Sequence, residues 1–208
     1  MPHKESNWKF AEELVNESEA IGLARQHSIE AGVEPVSPGV GSQLAVIAAS
    51  LAAKNIIEIG TGMGVSALSL FSGSPDATLT SIDVEVDHQQ SARESFAAAG
   101  IPANRIRLIT GRARDVLPRM NENSYDIVLV DADPEGVIEY VEHALRLARP
   151  GGVVLVAHAL WHGRVANPAA RDAVTTGYRS LLTEVSPSPA VISSLSTAGD
   201  GLLQLVKR

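Results

Sequence analysis

An acidic residue followed by three alternate glycines stands at Glu58-Ile59-Gly60-Thr61-Gly62-Met63-Gly64. Glycines so spaced permit positive φ and a close backbone approach to a ligand, and a helix starting just after them presents unpaired N–H groups. A dinucleotide loop wants Gly or Ala where Val65 stands, and a P-loop ends in Gly-Lys-Ser/Thr, so neither is matched. A tight strand-to-helix turn would account for the glycines alone. About 20 residues further on, Ser81-Ile82-Asp83 ends a second apolar run with a side chain able to accept from both ribose hydroxyls. The two features together point to a nucleoside ligand, with Asp83 as a cap of the next segment the competing reading. Asp131 and His158 each follow a later apolar run, Ile127–Val130 and Val153–Val156. Three roles stand open for His158: a hydrogen-bonded structural histidine, a general base of near-neutral pKa, or a metal ligand beside Asp131.

The elements that must position these residues follow from hydrophobic rhythm. From about Asn7 to Ala31, Trp8, Ala11, Leu14, Val15, Ser18 and Ile21 recur at three- and four-residue spacing, which predicts one amphipathic helix, and an alanine-rich second helix is expected over about Gly41 to Ala53. From Ile56 onward short apolar runs alternate with helical stretches. Strands are predicted at Ile56–Ile59, Thr78–Ile82, Ile106–Ile109, Ile127–Val130 and Val153–Val156. Helices are predicted over 65–71, 87–99, 112–120 and 134–148, and another opens at Asn167-Pro168. Continuous apolar strands joined by helices give a doubly wound, Rossmann-like α/β fold with a mostly parallel sheet. Glu184–Ser194 and Leu202–Val206, with no helix between them, predict a C-terminal antiparallel hairpin. The expectation is a single domain over 1–208, with a helical addition at 1–53 and the nucleotide-binding sheet at 54–208.

Composition narrows the function classes. With 208 residues, 45% of them hydrophobic, there is ample material for one core. The absence of cysteine excludes disulfide scaffolds, thiolate metal sites and thiol nucleophiles. The longest apolar run, Leu44 to Ala53, is far short of the ~20 residues of a membrane helix, and the N-terminus lacks a signal-peptide stretch, so a cytoplasmic protein without membrane partners is expected. Lys and Arg number 17 against 24 acids, a net charge of −7, with no basic cluster to track phosphates; nucleic acid is not an expected partner.

Taken in order, many short segments resemble the S-adenosylmethionine-dependent O-methyltransferases of the catechol and caffeoyl-CoA type, from about Val36 to the C-terminus. The segments are Pro35-Val36-Ser37-Pro38, Ile57-Glu58-Ile59-Gly60-Thr61, Val65-Ser66-Ala67-Leu68, Ile82-Asp83 and Gly111-Arg112-Ala113. They continue with Tyr125-Asp126-Ile127-Val128, Asp131-Ala132-Asp133, Arg149-Pro150-Gly151-Gly152, Leu160-Trp161-His162-Gly163-Arg164-Val165 and Gly199-Asp200-Gly201-Leu202. The resemblance implies a class I methyltransferase architecture, S-adenosylmethionine as cofactor, a small hydroxylated and aromatic acceptor, and a homodimer. It also implies that Val36, Glu58, Gly60, Thr61, Ser66, Asp83, Ala113 and Asp131 line the cofactor site, with Glu58 helping to hold the cofactor's cationic groups, Asp83 the ribose, and the backbone at Arg112-Ala113 the adenine. Trp161 and His162 would lie in the loop covering the acceptor, where Trp161 can serve packing or stacking.

The resemblance breaks at the chemistry. Metal-dependent members hold a divalent cation with one Asp after the fourth strand and an Asp-Asn pair after the fifth; Asp131 matches the first, but Ala157-His158 stands at the pair. One carboxylate and one imidazole make a poor magnesium site. The family's catalytic Lys falls on Pro134, and Asp133-Pro134 reads instead as a helix cap followed by proline. His158 is then the best candidate base, with Asp131 beside it. Two other classes compete: a cofactor-binding module that has lost its chemistry, which Ala157 and Pro134 would favour, and a nicotinamide oxidoreductase, which Glu58, Gly64 and Val65 disfavour. The expectation for metal is no tightly bound magnesium. Equilibrium dialysis should recover none with the protein; stoichiometric, Asp131-dependent binding needed for activity would overturn this.

Overall fold

The computed structural model describes residues 2–208. The apolar runs become five parallel strands, β1 (Asn55–Ile59), β2 (Thr78–Asp83), β3 (Ile106–Thr110), β4 (Tyr125–Val130) and β5 (Ala148–Val156). β6 (Val191–Ser196) and β7 (Leu202–Lys207) pair antiparallel, and β7 runs antiparallel to β5. The sheet order is β3-β2-β1-β4-β5-β7-β6. Strand order reverses between β1 and β4, so the loops leaving their carboxyl ends part there and open a crevice. The predicted doubly wound sheet and terminal hairpin are both present.

Side-chain alternation along the strands splits the core into two layers. Ile56, Leu79, Leu129 and Leu155 face α2 (Glu19–Glu30), α3 (Pro38–Leu51), α4 (Val65–Gly73) and α5 (Val86–Ala98). Ile57, Ile59, Val128 and Val154 face α6 (Ala113–Val116), α7 (Val137–Leu147) and α8 (Ala173–Val185). Among the described residues no helix is long and apolar enough to cross a membrane.

Three local expectations give way to the structure. The predicted helix 7–31 is two helices, α1 (Pro2–Glu13) and α2, because Ser18 accepts from the Ile21 N–H and caps a new start. Ile21 at the third helical position leaves the cap without the acidic residue that completes a capping box, so the apolar spacing runs across the break unmarked. Asn167-Pro168 does not open a helix. Arg179 donates to the carbonyls of Arg164, Val165, Asn167 and Ala170, which holds that segment as a loop, and α8 starts only after Asp172 caps Thr175 at 3.0 Å. Finally, α8 continues to Val185, burying Thr175, Tyr178, Leu181 and Val185 along one face, so β6 begins at Val191 and not at Glu184.

The N-terminal helices are stitched to the sheet by two side chains. Glu12 of α1 accepts from Ser37 Oγ at 2.9 Å, Gly39 N at 2.6 Å and Gly199 N at 3.0 Å, joining α1 to the start of α3 and to the β6–β7 turn. Its charge also sits at the positive end of α3. Arg25 of α2 binds Glu17 through two nitrogens, at 2.8 and 2.5 Å, and donates to the Val36 carbonyl at 2.6 Å, fixing the loop before α3. Glu12→Ala leaves three donors without their acceptor and is expected to cost about 1–3 kcal/mol of stability in chemical denaturation; an unchanged midpoint would show that the clamp contributes nothing.

Candidate active site

At the switch point the strand ends are drawn together by backbone bonds. Ile59 O accepts from Asp131 N at 2.8 Å, and Gly60 N donates to Ile82 O at 2.8 Å. Gly60 has φ +97°, and a Cβ there would meet the Asp131 carbonyl oxygen at 1.8 Å, so no other residue type fits this approach. Asp83 completes the loop: one oxygen accepts from Thr61 N at 2.9 Å and Gly62 N at 3.0 Å, the other from Glu85 N at 2.9 Å.

These turns enclose a cavity of about 260 Å³. Val36, Gly60, Thr61, Ser66, Asp83, Ala113 and Asp131 all line it. The wall also carries Glu34, Glu85, Asp133 and His88, and among the described residues no Lys or Arg, so its chemistry suits a cationic ligand. Glu58 is not on the wall. It is fully buried, with Ser66 Oγ donating to one carboxyl oxygen at 2.5 Å and Ser81 Oγ to the other at 2.7 Å. Burial pushes Glu58 up to about 8 against the downward pull of the two hydroxyls, with Asp131 and Asp83 adding to the rise. The expectation of a charged carboxylate at the end of β1 therefore meets a neutral acid in the free chain.

His158 lies outside this cavity. It lines an adjoining void of about 40 Å³ with Asp131, Ala157, Trp161 and Tyr178, and the Asp131-Ala132-Asp133 segment after β4 borders both spaces. His158 Nε2 is 3.6 Å from Asp131 Oδ1, and Nδ1 is 3.8 Å from Asp200 Oδ2. Both separations exceed hydrogen-bond range. Nδ1 is buried and has no hydrogen-bond partner among the described residues. Burial raises the Asp131 carboxyl, His158 pulls it down, and Glu34 raises it again. Tyr178 is held above its ordinary value by burial and then by Asp131, Asp200 and Asp133, so its hydroxyl stays protonated.

Sequence reasoning missed Asp200 and Tyr178 as members of this group. Asp200 sits in the Gly199-Asp200-Gly201 turn, and both its oxygens accept from His162 N at 2.7 Å while its carbonyl accepts from Leu160 N at 2.8 Å. Those two glycines were the available signal. Tyr178 was hidden because α8 was misplaced. Trp161 stacks on the Tyr178 ring at 5.8 Å, which gives it a packing partner within the protein. Asp133 Oδ1 accepts from Glu135 N at 3.3 Å with Pro134 first in the following turn, the capping arrangement expected for that pair.

For a divalent cation, Ala157 supplies no donor, and among the described residues no group of three or more His, Cys, Asp or Glu is arranged to hold one. The donors in place there, one carboxylate and one imidazole, do not fit magnesium.

Residues 15–208 match the model of a family described as O-methyltransferase. A Mycobacterium marinum relative bearing an O-methyltransferase name is 42% identical over 198 residues, 95% of this chain and 88% of its own length. Among solved structures, a Corynebacterium glutamicum protein superimposes with a TM-score of 0.90 at 27% identity, covering 99% of this chain and 97% of its own. The O-methyltransferase TomG of Streptomyces achromogenes, involved in tomaymycin synthesis and solved with S-adenosylmethionine, gives 0.82 at 34% identity, covering 96% and 95%. A Bacillus cereus O-methyltransferase solved with S-adenosylhomocysteine gives 0.81 at 26%, covering 93% of each chain.

The buried acid makes stability depend on pH with a defined sign. Folding raises Glu58 from 4.5 to about 8, so over that interval the folded chain holds a proton that the unfolded chain has released. Stability is full below the unfolded value and falls as pH rises through the folded one. Melting temperature, measured relative to Glu58→Gln, should decline from about pH 5 to about pH 8. A difference that stays constant over this range contradicts the assignment.

Proposed function

Since this chain belongs to the O-methyltransferase family, we propose that it carries the methyl group of S-adenosylmethionine to a hydroxyl of a small aromatic acceptor without a divalent cation, His158 taking the hydroxyl proton. Val36, Gly60, Thr61, Ser66, Asp83, Ala113 and Asp131, around one cavity at the switch point, would hold the cofactor. When bound, S-adenosylmethionine supplies an electrophilic methyl on a positively charged sulfur. The chain's task is then to place the acceptor oxygen in line with that methyl, exclude water and receive a proton, and positioning accounts for much of such a rate.

The observation that carries this reading is His158 Nε2 turned to Asp131 on the wall between the two spaces. An imidazole there can accept a proton, and an acid beside it stabilises the cation that results. The void beside His158 has room for little more than the hydroxyl-bearing edge of an acceptor. An aromatic acceptor is supported by the stacked Trp161–Tyr178 pair bordering that void. Exposed Trp8, Phe10 and Leu14 near the N-terminus support a homodimer, and a cysteine-free chain using a metabolic cofactor suits the cytoplasm.

A panel of catechols, flavonoids and other phenols should yield a methylated product. For the best acceptor, His158→Ala should lower kcat by about 10²- to 10⁴-fold while S-adenosylhomocysteine affinity is retained. Unchanged turnover in that variant would remove His158 from the chemistry.

A further inference from the structure

Glu58 is placed where a charge is hard to keep. β1 points it at the face covered by α4, between the hydroxyls of Ser66 on α4 and Ser81 on β2, with buried Thr61 bonded to Ser81 at 2.7 Å. The charged groups that bear on it from the neighbouring strands are Asp83 at the end of β2 and Asp131 at the end of β4, both acids. His88 and His158 stand by those two acids, at 3.9 and 3.6 Å, and among the described residues no Lys or Arg lines the cavity above. A hydroxyl can donate to a carboxylate or accept from a carboxylic acid, so Ser66 and Ser81 satisfy either form. The balance between the forms then follows the charge that enters the cavity.

We propose that Glu58 distinguishes the methyl-charged cofactor from its demethylated product: the empty site holds it as a neutral acid, arrival of the sulfonium cation expels its proton to solvent, and the neutral thioether leaves it protonated. The ligand brings one positive charge and the proton takes one away. Only the O–H bond of Glu58 breaks. After methyl transfer the sulfur is uncharged, Glu58 takes a proton back from solvent, and the attraction that favoured the cofactor is withdrawn as the product departs. Affinity for S-adenosylmethionine relative to S-adenosylhomocysteine therefore rises with pH, by up to about tenfold per unit, and levels off above about 8, where Glu58 is already ionised.

The proposal rests on the cofactor and is independent of the acceptor and of His158. Calorimetric titration of the full chain at about pH 7, in buffers of different ionisation heat, counts the protons released with each ligand. Wild type should release about one proton more with S-adenosylmethionine than with S-adenosylhomocysteine, and Glu58→Gln should lose that excess. Equal release with the two ligands, or the same excess in the variant, overturns the proposal. If Glu58→Gln does not fold, an infrared difference spectrum of wild type decides: the carbonyl band of a protonated carboxyl should vanish on adding S-adenosylmethionine and persist with S-adenosylhomocysteine. A band unchanged by both ligands overturns it. Binding heat without a proton excess removes this proposal alone, whereas no binding heat removes the cofactor assignment and the proposal with it.

Discussion

The site depends on the contact of one backbone with another, Gly60 against the carbonyl of Asp131. A parallel sheet leaves its strand ends unpaired, and here the ends of β2, β1, β4 and β5 are tied by three successive bonds, Gly60 to Ile82, Asp131 to Ile59 and Ala157 to Val130. The turns after β1, β2 and β4 consequently start from fixed points, and Thr61, Asp83 and Asp131 stand round a single cavity. A side chain at position 60 would push β1 and β4 apart at the point where their loops diverge. The glycine is thus required by the sheet before any ligand is considered, which is why the bland reading of the glycine run and the functional one describe the same residue.

Charge at this junction is organised by deficit. Asp83 has backbone N–H groups on both oxygens, Asp131 has only an imidazole beyond hydrogen-bond range, and Glu58 has two hydroxyls and no cation. Each thus receives less compensation than a buried ion pair would give it. Such an arrangement disfavours the empty site and favours a ligand bearing positive charge.

The sheet was legible because its strands, buried on both faces, are continuous apolar runs, and because glycines and prolines mark the turns between them. The turn after β1 was legible for the same reason, since Gly60, Thr61 and Asp83 meet through backbone geometry and position along the chain. The state of Glu58 was not legible. Its charge depends first on a burial that no local pattern reports, and then on Ser66 across the glycine turn and Ser81 on the neighbouring strand. The α8 region failed in a related way: Arg179 gathers four carbonyls from the preceding loop, and nothing near Asn167-Pro168 reveals that a later arginine claims them. Asp200 meets His158 only because the β6–β7 turn folds back on the loop after β5, with Ala159 N bonded to Gly201 O and Leu160 N to Asp200 O.

That loop also shows how this chain departs from the metal-dependent pattern it resembles. His158, Trp161 and His162 all take left-handed φ values, of 54°, 46° and 51°, a conformation that costs non-glycine residues energy and persists only when the surroundings impose it. The Asp200 carboxylate on His162 N and the Trp161–Tyr178 stack are what impose it. The loop is held by its own turn and by α8. His158 is thereby fixed with one nitrogen toward Asp131 and the other toward Asp200. The place after β5 where the resemblance implies a pair of metal donors is thus taken by a ring set between two acids, at 3.6 and 3.8 Å.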